Sequence, residues 1–209
     1  MNSPETPPAS PAGPTPGATA VIDSVIFRNS FGTPEMRAVF SDRALMARCI
    51  EVEVALARAE AACGVIPSEA ALAIECESRL DRLDFDRLGR ETELVGFPIL
   101  PLLHQLVEMT GEAGRYLHWG ATTQDILDTA VVLQLRAALD IVEADIRELR
   151  RILADLAAKH RDTPMAGRTH LQQALPVTFG YKVAIWLAML PAALTVLVEI
   201  VWMSCHCAV

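Results

Sequence analysis

Aromatic and basic residues are both scarce in this chain. Phenylalanine, tryptophan and tyrosine make up 5% of the 209 residues, while alanine and leucine dominate, which favours helices over sheets. The 18 lysines and arginines are outnumbered by 26 aspartates and glutamates, so the net charge is -8. Because a protein that binds nucleic acid needs a basic face, this balance argues against such a partner. It is compatible with an anionic small substrate, since the field inside a pocket can oppose the net charge.

Cysteine is too sparse and too irregularly placed to form a structural framework. The chain has five cysteines and no Cys-x-x-Cys pair, which argues against disulfide scaffolds and zinc knuckles. The Cys205-His206-Cys207 triplet makes a poor metal site because three adjacent ligands cannot surround an ion. We therefore expect reduced thiols, no metal and a cytoplasmic location.

The first 20 residues differ in composition from the rest. They are rich in proline and alanine, and no apolar run follows a basic start, so they do not form a secretory signal and we expect a disordered tail. Capping residues and apolar spacing then predict a series of helices and no long strand. The predicted segments are 34–40, 42–63, 68–80, 86–94 and 101–109. The expected fold class is therefore all-α.

A long helix is predicted from about Thr123 to about His160. Apolar residues recur along it at steps of three and four, which is typical of helices in bundles and coiled coils. At 1.5 Å per residue it would be about 55 Å long, and few other segments are long enough to pack against it. We therefore expect self-association. The stripe consists of Leu127, Val131, Leu135, Ala138, Val142, Ile146, Leu149, Leu153 and Leu156.

The last helix is expected to begin at Pro176 and is very apolar between residues 183 and 203. A run of that length could cross a membrane. Pro191 and Glu199 interrupt it, and no basic flank follows, so a buried bundle helix is the preferred interpretation and a membrane span is the alternative.

Two polar loops flank the long helix, and the first is HWGATTQD, residues 118–125. Thr122 and Thr123 stand where the helix begins, so their hydroxyls and the free backbone amides could bind a carboxylate. His118 could donate to the same anion or relay a proton. The alternative for the threonine pair is simple helix capping. Asp125 is expected to compensate the helix dipole.

The second polar loop contains His170 between Thr169 and Gln172. These neighbours could hold one tautomer of the imidazole, so His170 could act as a general acid or in an acid–base relay. His104 and His160 fit the faces of predicted helices and are interpreted as structural.

Three segments resemble the fumarase/aspartase superfamily. HWGATTQD and GRTHLQQALP, residues 167–176, are similar to the first two of its three signature regions. FGTPEMRAVFSD, residues 31–42, looks like the N-terminal segment of two of its branches, adenylosuccinate lyase and 3-carboxy-cis,cis-muconate cycloisomerase. The resemblance covers about residues 24–187.

The resemblance implies an N-terminal helical domain over residues 21–115 and part of a central helical bundle over residues 116–209. It also implies a homotetramer whose active sites combine loops of three subunits. The chemistry would be addition or elimination next to a carboxylate of a di- or tricarboxylate, without a cofactor. His170 would be the catalytic residue. The substrate-binding residues would be His118, Thr122, Thr123, Thr169 and Gln172.

Two sequence differences bear on the branch. Ser30-Phe31 stands where adenylosuccinate lyases carry Arg-Tyr, and GFPILPLL, residues 96–103, looks like the cycloisomerase branch. The resemblance therefore favours lactonisation of 3-carboxy-cis,cis-muconate in protocatechuate breakdown. Because some bacterial cycloisomerases have tryptophan at the place of His170, an adenylosuccinate lyase-like or other succinate-forming lyase is the alternative.

The third signature region of the superfamily is a Gly-Ser-Ser loop that supplies a serine base. The 209 residues of the printed sequence contain no such loop. The resemblance therefore implies an N-terminal portion that lacks turnover on its own. A non-catalytic helical module for oligomerisation is the further alternative.

Overall fold

The fold is built almost entirely from helices. The computed structural model describes residues 20–207, so the predicted tail, apart from its last residue, lies outside the described part. The α-helices are α1 (Pro34–Val39), α2 (Asp42–Ala62), α3 (Ser68–Glu77), α4 (Phe85–Val95), α5 (Ile99–Thr110), α6 (Thr123–Lys159) and α7 (Phe179–Cys207). Short 3-10 turns lie at Arg28–Ser30, Leu80–Arg82 and Gly111–Tyr116. The all-α prediction is confirmed.

Local capping chemistry explains where the helices begin and end. The Ser41 side chain accepts a hydrogen bond from the Ala44 amide at 3.2 Å and caps α2. Gly64 follows the end of α2 with φ +74°, a left-handed conformation that glycine adopts without a steric penalty. The predicted start and stop of this helix are both confirmed.

The described residues divide into two compact units, with the boundary between Arg37 and Ala38. In the first unit, the Arg37 guanidinium donates to the carbonyl oxygens of Arg28 and Gly32 at 3.0 and 2.7 Å and to Asn29 Oδ1 at 2.8 Å. These bonds hold the 3-10 turn against the start of α1. The domain boundary at residue 115 remains a prediction.

The core of the second unit lies between α2, α3, α5 and the beginning of α6. Ile74, Ile99, Leu102 and Leu106 have no exposed surface there. Burying each such side chain contributes about 1.5–3 kcal/mol. This core positions the loop before α6, because α2 and α6 both pack against it.

Helix α6 has the predicted length, but its most buried face is not the predicted one. The buried residues are Ile126, Ala130, Gln134 and Ala138, a row at steps of four in which two alanines allow close approach of a neighbouring helix. On the predicted stripe Val131 is 42% exposed. Only Ala138 of the stripe is buried within one copy, so most of the stripe stays open for the self-association that the sequence predicts. The other stripe residues are exposed or half-buried.

Two antiparallel strand pairs connect α6 to α7. The strands are β1 (Pro164–Met165), β2 (Arg168–Thr169), β3 (Gln172–Gln173) and β4 (Val177–Thr178); β1 pairs with β4, and β2 with β3. The expected helix start at Pro176 was therefore wrong. The backbone stays extended until Thr178, whose hydroxyl accepts from the Tyr181 amide at 3.2 Å and caps the first turn of α7.

Helix α7 is largely open within one copy. It is long and apolar enough to cross a membrane by length and composition, and 12% of the apolar window Phe179–Leu197 is buried. Trp186 and Met189 are 44% and 66% exposed. The expectation of a buried bundle helix is therefore not met by a single copy of the described residues.

The junction between α6 and α7 leaves no room for a side chain at Gly180. A Cβ there would lie 2.6 Å from the Ala157 carbonyl oxygen and 2.7 Å from the His160 carbonyl oxygen. We expect Gly180→Ala to lower the free energy of unfolding by about 1–3 kcal/mol, because backbone atoms must shift. Gly89→Ala, in α4 with open space around it, is the control and should raise stability by about 0.5–1 kcal/mol. Urea denaturation measures both, and equal effects would contradict the close packing.

Candidate functional site

The loop before α6 holds Thr122 in a capping box. The Thr122 hydroxyl accepts from the Gln124 amide at 3.4 Å, and the Asp125 carboxylate accepts from the Thr122 amide at 2.9 Å. Thr122 is therefore the cap of α6, which confirms the capping interpretation for this residue, and Asp125 has the predicted place in the first turn. Because its oxygen only accepts in this motif, the hydroxyl keeps a proton that it can donate.

This arrangement limits what the start of α6 can offer an anion. The Asp125 carboxylate already occupies the Thr122 amide and brings a negative charge to the positive end of the helix. A bound carboxylate would therefore depend on the hydroxyls of Thr122 and Thr123 and on a further donor. Thr123 is the first residue of α6 and is half-buried.

His118 is a candidate for that donor, and it is held by a buried acid. Its Nδ1 lies 2.6 Å from Oε1 of Glu53. The Glu53 side chain is 0% exposed and that of His118 is 16% exposed. His118 also has φ 57°. Residues other than glycine rarely adopt this left-handed backbone conformation, and it often marks functional sites. The bond to Glu53 helps to stabilise this conformation.

Burial dominates the electrostatics around Glu53. It raises the pKa of the Glu53 carboxyl above its usual value, although the hydrogen bond and charge of His118 act in the opposite direction. Burial, with the charge of Glu53, also raises the pKa of the Cys49 thiol to about 11. The same two causes raise the pKa of Glu60. The acid at position 53 is therefore costly to ionise unless a proton is held close to it.

An open cleft of about 550 Å³ lies beside this loop. Its walls are mainly apolar, and Glu60 and Asp125 contribute carboxylates to its edge. Residues on both sides of the threonine pair line the cleft but the pair itself does not; Thr122 is exposed and Thr123 is half-buried. The lining residues are Val52, Leu56, Glu60, Val65, Trp119, Gly120, Ala121, Asp125, Ile126 and Thr129.

The second predicted loop forms the β2–β3 hairpin. Thr169 pairs with Gln172 across it, and His170 and Leu171 make the turn. His170 is exposed, and Leu171 is 94% exposed with φ 57°. Thr169, His170 and Gln172 are thus brought together at one projecting tip.

One copy of the chain does not join the two loops. His118, Thr122 and Thr123 lie at the start of α6, and His170 follows its end. The 37 residues of α6 separate them by about 55 Å at 1.5 Å per residue. A site that used both histidines would need loops from different copies.

Glu53 was missed by the sequence interpretation. It lies in α2 on the same row as Met46, Cys49 and Ala57, all of which are buried. A carboxylate on an apolar row at helical spacing is a detectable signal, because a buried charge needs a partner. The identity of that partner, 65 residues away, could come only from the fold.

The chain is similar to a known protein family and to proteins of known structure. Residues 28–203 match the family described as lyase. The chain is 46% identical over 170 residues to N-acetyl-S-(2-succino)cysteine lyase of Dickeya dadantii (strain 3937), covering 81% of this chain and 37% of that protein. Two solved structures are also similar. The fumarate lyase from Mesorhizobium sp. BNC1 is 54% identical with a TM-score of 0.75, over 79% of this chain and 39% of the other.

The second structure is beta-carboxy-cis,cis-muconate cycloisomerase from Acinetobacter calcoaceticus sp. ADP1. It is 41% identical with a TM-score of 0.81, over 84% of this chain and 42% of the other. The chain thus spans about two fifths of the length of these relatives. Since the family match covers most of the chain, the protein belongs to the lyase family of the fumarase/aspartase superfamily.

Proposed function

We propose that the loop before α6 is one part of a cofactor-independent active site that acts on a carbon next to a carboxylate. The reaction we favour is lactonisation of 3-carboxy-cis,cis-muconate. The observation that carries the proposal is the placement of His118, held by Glu53, in the loop that leads to Thr122 and Thr123. Three potential donors thus belong to one short loop at the positive end of a long helix.

The chemistry explains why donors are needed there. In lactonisation a carboxylate oxygen adds to the carbon–carbon double bond, and the π electron pair moves toward the carboxylate next to the other alkene carbon until that carbon takes up a proton. In the reverse elimination that proton is removed. In both directions this carboxylate carries a second negative charge, and preoriented hydrogen-bond donors stabilise it in the transition state. Thr122, Thr123 and His118 would bind the carboxylate. His170, from another copy, would supply the acid or relay, with Thr169 and Gln172 beside it.

Assembly is part of this proposal. The distance along α6 between the two loops requires several copies at one site, and the open apolar faces of α6 and α7 offer a surface for association. We propose a homo-oligomer, a tetramer in the complete assembly, located in the cytoplasm. A membrane span of α7 is the competing interpretation of the same apolar surface.

The test is binding of 3-carboxy-cis,cis-muconate to the chain. We expect Thr123→Val to weaken binding measured by calorimetry by about tenfold or more, because a hydrogen bond to a charged group is worth about 1.5–3 kcal/mol. Thr92→Val, in α4 where the hydroxyl bonds to the Leu88 carbonyl, is the control and should leave the affinity unchanged. Equal affinity in both variants would contradict the assignment.

A second candidate is elimination from a succinyl thioether. The 46% identity to N-acetyl-S-(2-succino)cysteine lyase favours it. Breaking the carbon–sulfur bond would release a thiol and fumarate, with the same need to stabilise charge on a carboxylate. Parallel binding measurements with 3-carboxy-cis,cis-muconate, with a succinyl thioether and with adenylosuccinate separate the candidates. Stable oligomers without binding of any of these substrates would favour a non-catalytic module.

A further inference from the structure

The proposed chemistry does not say where the protons of the buried pair Glu53–His118 lie. Glu53 Oε1 is bonded to His118 Nδ1, but Oε2 is buried without a hydrogen-bond partner among the described residues. His118 is the residue whose hydrogen bond and charge lower the pKa of Glu53, and the Cys49 thiol and the Glu60 carboxyl, whose pKa values Glu53 raises, are not cations. The imidazole is therefore the group that can neutralise this acid.

Three protonation states of the pair are possible. The acid can be ionised beside an imidazolium, with protons on both ring nitrogens. The acid can instead be protonated and donate to Nδ1 of a neutral imidazole, whose own proton is then on Nε2. In the third state an ionised acid accepts from Nδ1–H of a neutral imidazole, and Nε2 carries only a lone pair.

Burial makes the third of these protonation states higher in free energy than the other two. The third carries a net negative charge with an unpartnered oxygen at a side chain that is 0% exposed, and an uncompensated buried charge is strongly unfavourable. The first two are neutral as a pair. Both place a proton on Nε2, wherever the bridging proton lies between Nδ1 and Oε1.

We infer that Glu53 is a positioning residue that keeps His118 as an Nε2–H donor at neutral pH, which suits it to bind an anion and not to act as a base. Its use toward a substrate carboxylate rests on the proposed function. The protonation state itself does not, because it follows from the geometry and burial of the two side chains.

Nitrogen-15 NMR of the imidazole tests this inference. The full chain would carry asparagine at the other four histidines, so that one imidazole remains. At pH 8, above the value of about 6.5 at which a free imidazole loses its charge, we expect a protonated Nε2 and a strongly low-field bridging proton. A bare Nε2 in this spectrum would overturn the inference.

Two variants show whether Glu53 is responsible. Glu53→Gln preserves size and hydrogen bonding, and we expect loss of the low-field bridging proton. Glu51→Gln is the control on the same helix, where the exposed carboxylate pairs with Arg48, and it should leave the spectrum unchanged. Persistence of the bridging proton in Glu53→Gln would overturn the role of Glu53. Because no substrate is added, failure of substrate binding in other assays would count against the proposed function alone.

Discussion

Replacing His118 with asparagine is expected to lower the free energy of unfolding by about 3 kcal/mol, because it leaves the Glu53 carboxyl buried without its partner. Asparagine tolerates the left-handed backbone at this position, where φ is 57°. The backbone therefore does not explain the loss, which reflects the unpaired acid. Urea denaturation at a fixed protein concentration measures the change.

The second half of this experiment removes the acid as well. In the double variant Glu53→Leu with His118→Asn, no charge remains at the buried position, and we expect most of the lost stability to return. Leu171→Asn is the control, since Leu171 has the same φ but is 94% exposed and has no buried partner. It should be neutral or slightly stabilising. A double variant as unstable as His118→Asn alone would show that the pair is not coupled.

Glutamate at both Leu135 and Met189 is expected to convert a self-associating chain into monomers. These residues are 42% and 66% exposed on α6 and α7 within one copy. If association covers the exposed part of both side chains, together they contribute about 1.5–3 kcal/mol of apolar burial. Losing this contribution corresponds to a dissociation constant on the order of 10- to 100-fold higher, which sedimentation at several concentrations measures.

The control for this experiment is Leu94→Glu. Leu94 is 87% exposed on α4, outside the surface that α6 and α7 leave open, so the assembly should persist. A wild-type chain that stays monomeric at high concentration would contradict self-association. A chain that needs detergent to stay in solution would favour the membrane interpretation of α7.

Sequence reasoning was most successful where local chemistry decides the outcome. Ser41 and Gly64 delimit α2, and the Thr122 cap begins α6, because capping depends on residues within one turn. It did not identify the face of α6 that packs inward within one copy. Spacing shows that apolar residues share a side of a helix, but the neighbouring helices select which row they cover.

For the candidate site too, local features could be predicted from the sequence and pairing between distant segments could not. Residues 118–125 and 167–173 could be identified as polar loops from composition and capping signals, and their roles remain proposals. The extended backbone up to Thr178 was missed, because the pairing of β4 with β1 joins segments that are separated in sequence.

The order of helices, the capped start of α6 and the two polar loops are properties of the sequence alone, because each depends on neighbouring residues. Tertiary structure decided that Glu53 meets His118 across 65 positions of chain, and that α6 buries the row of Ile126, Ala130, Gln134 and Ala138 within one copy. The physical reason is that burial and long-range contact determine the partner of a charge and the covered face of a helix, and neither is encoded in local spacing.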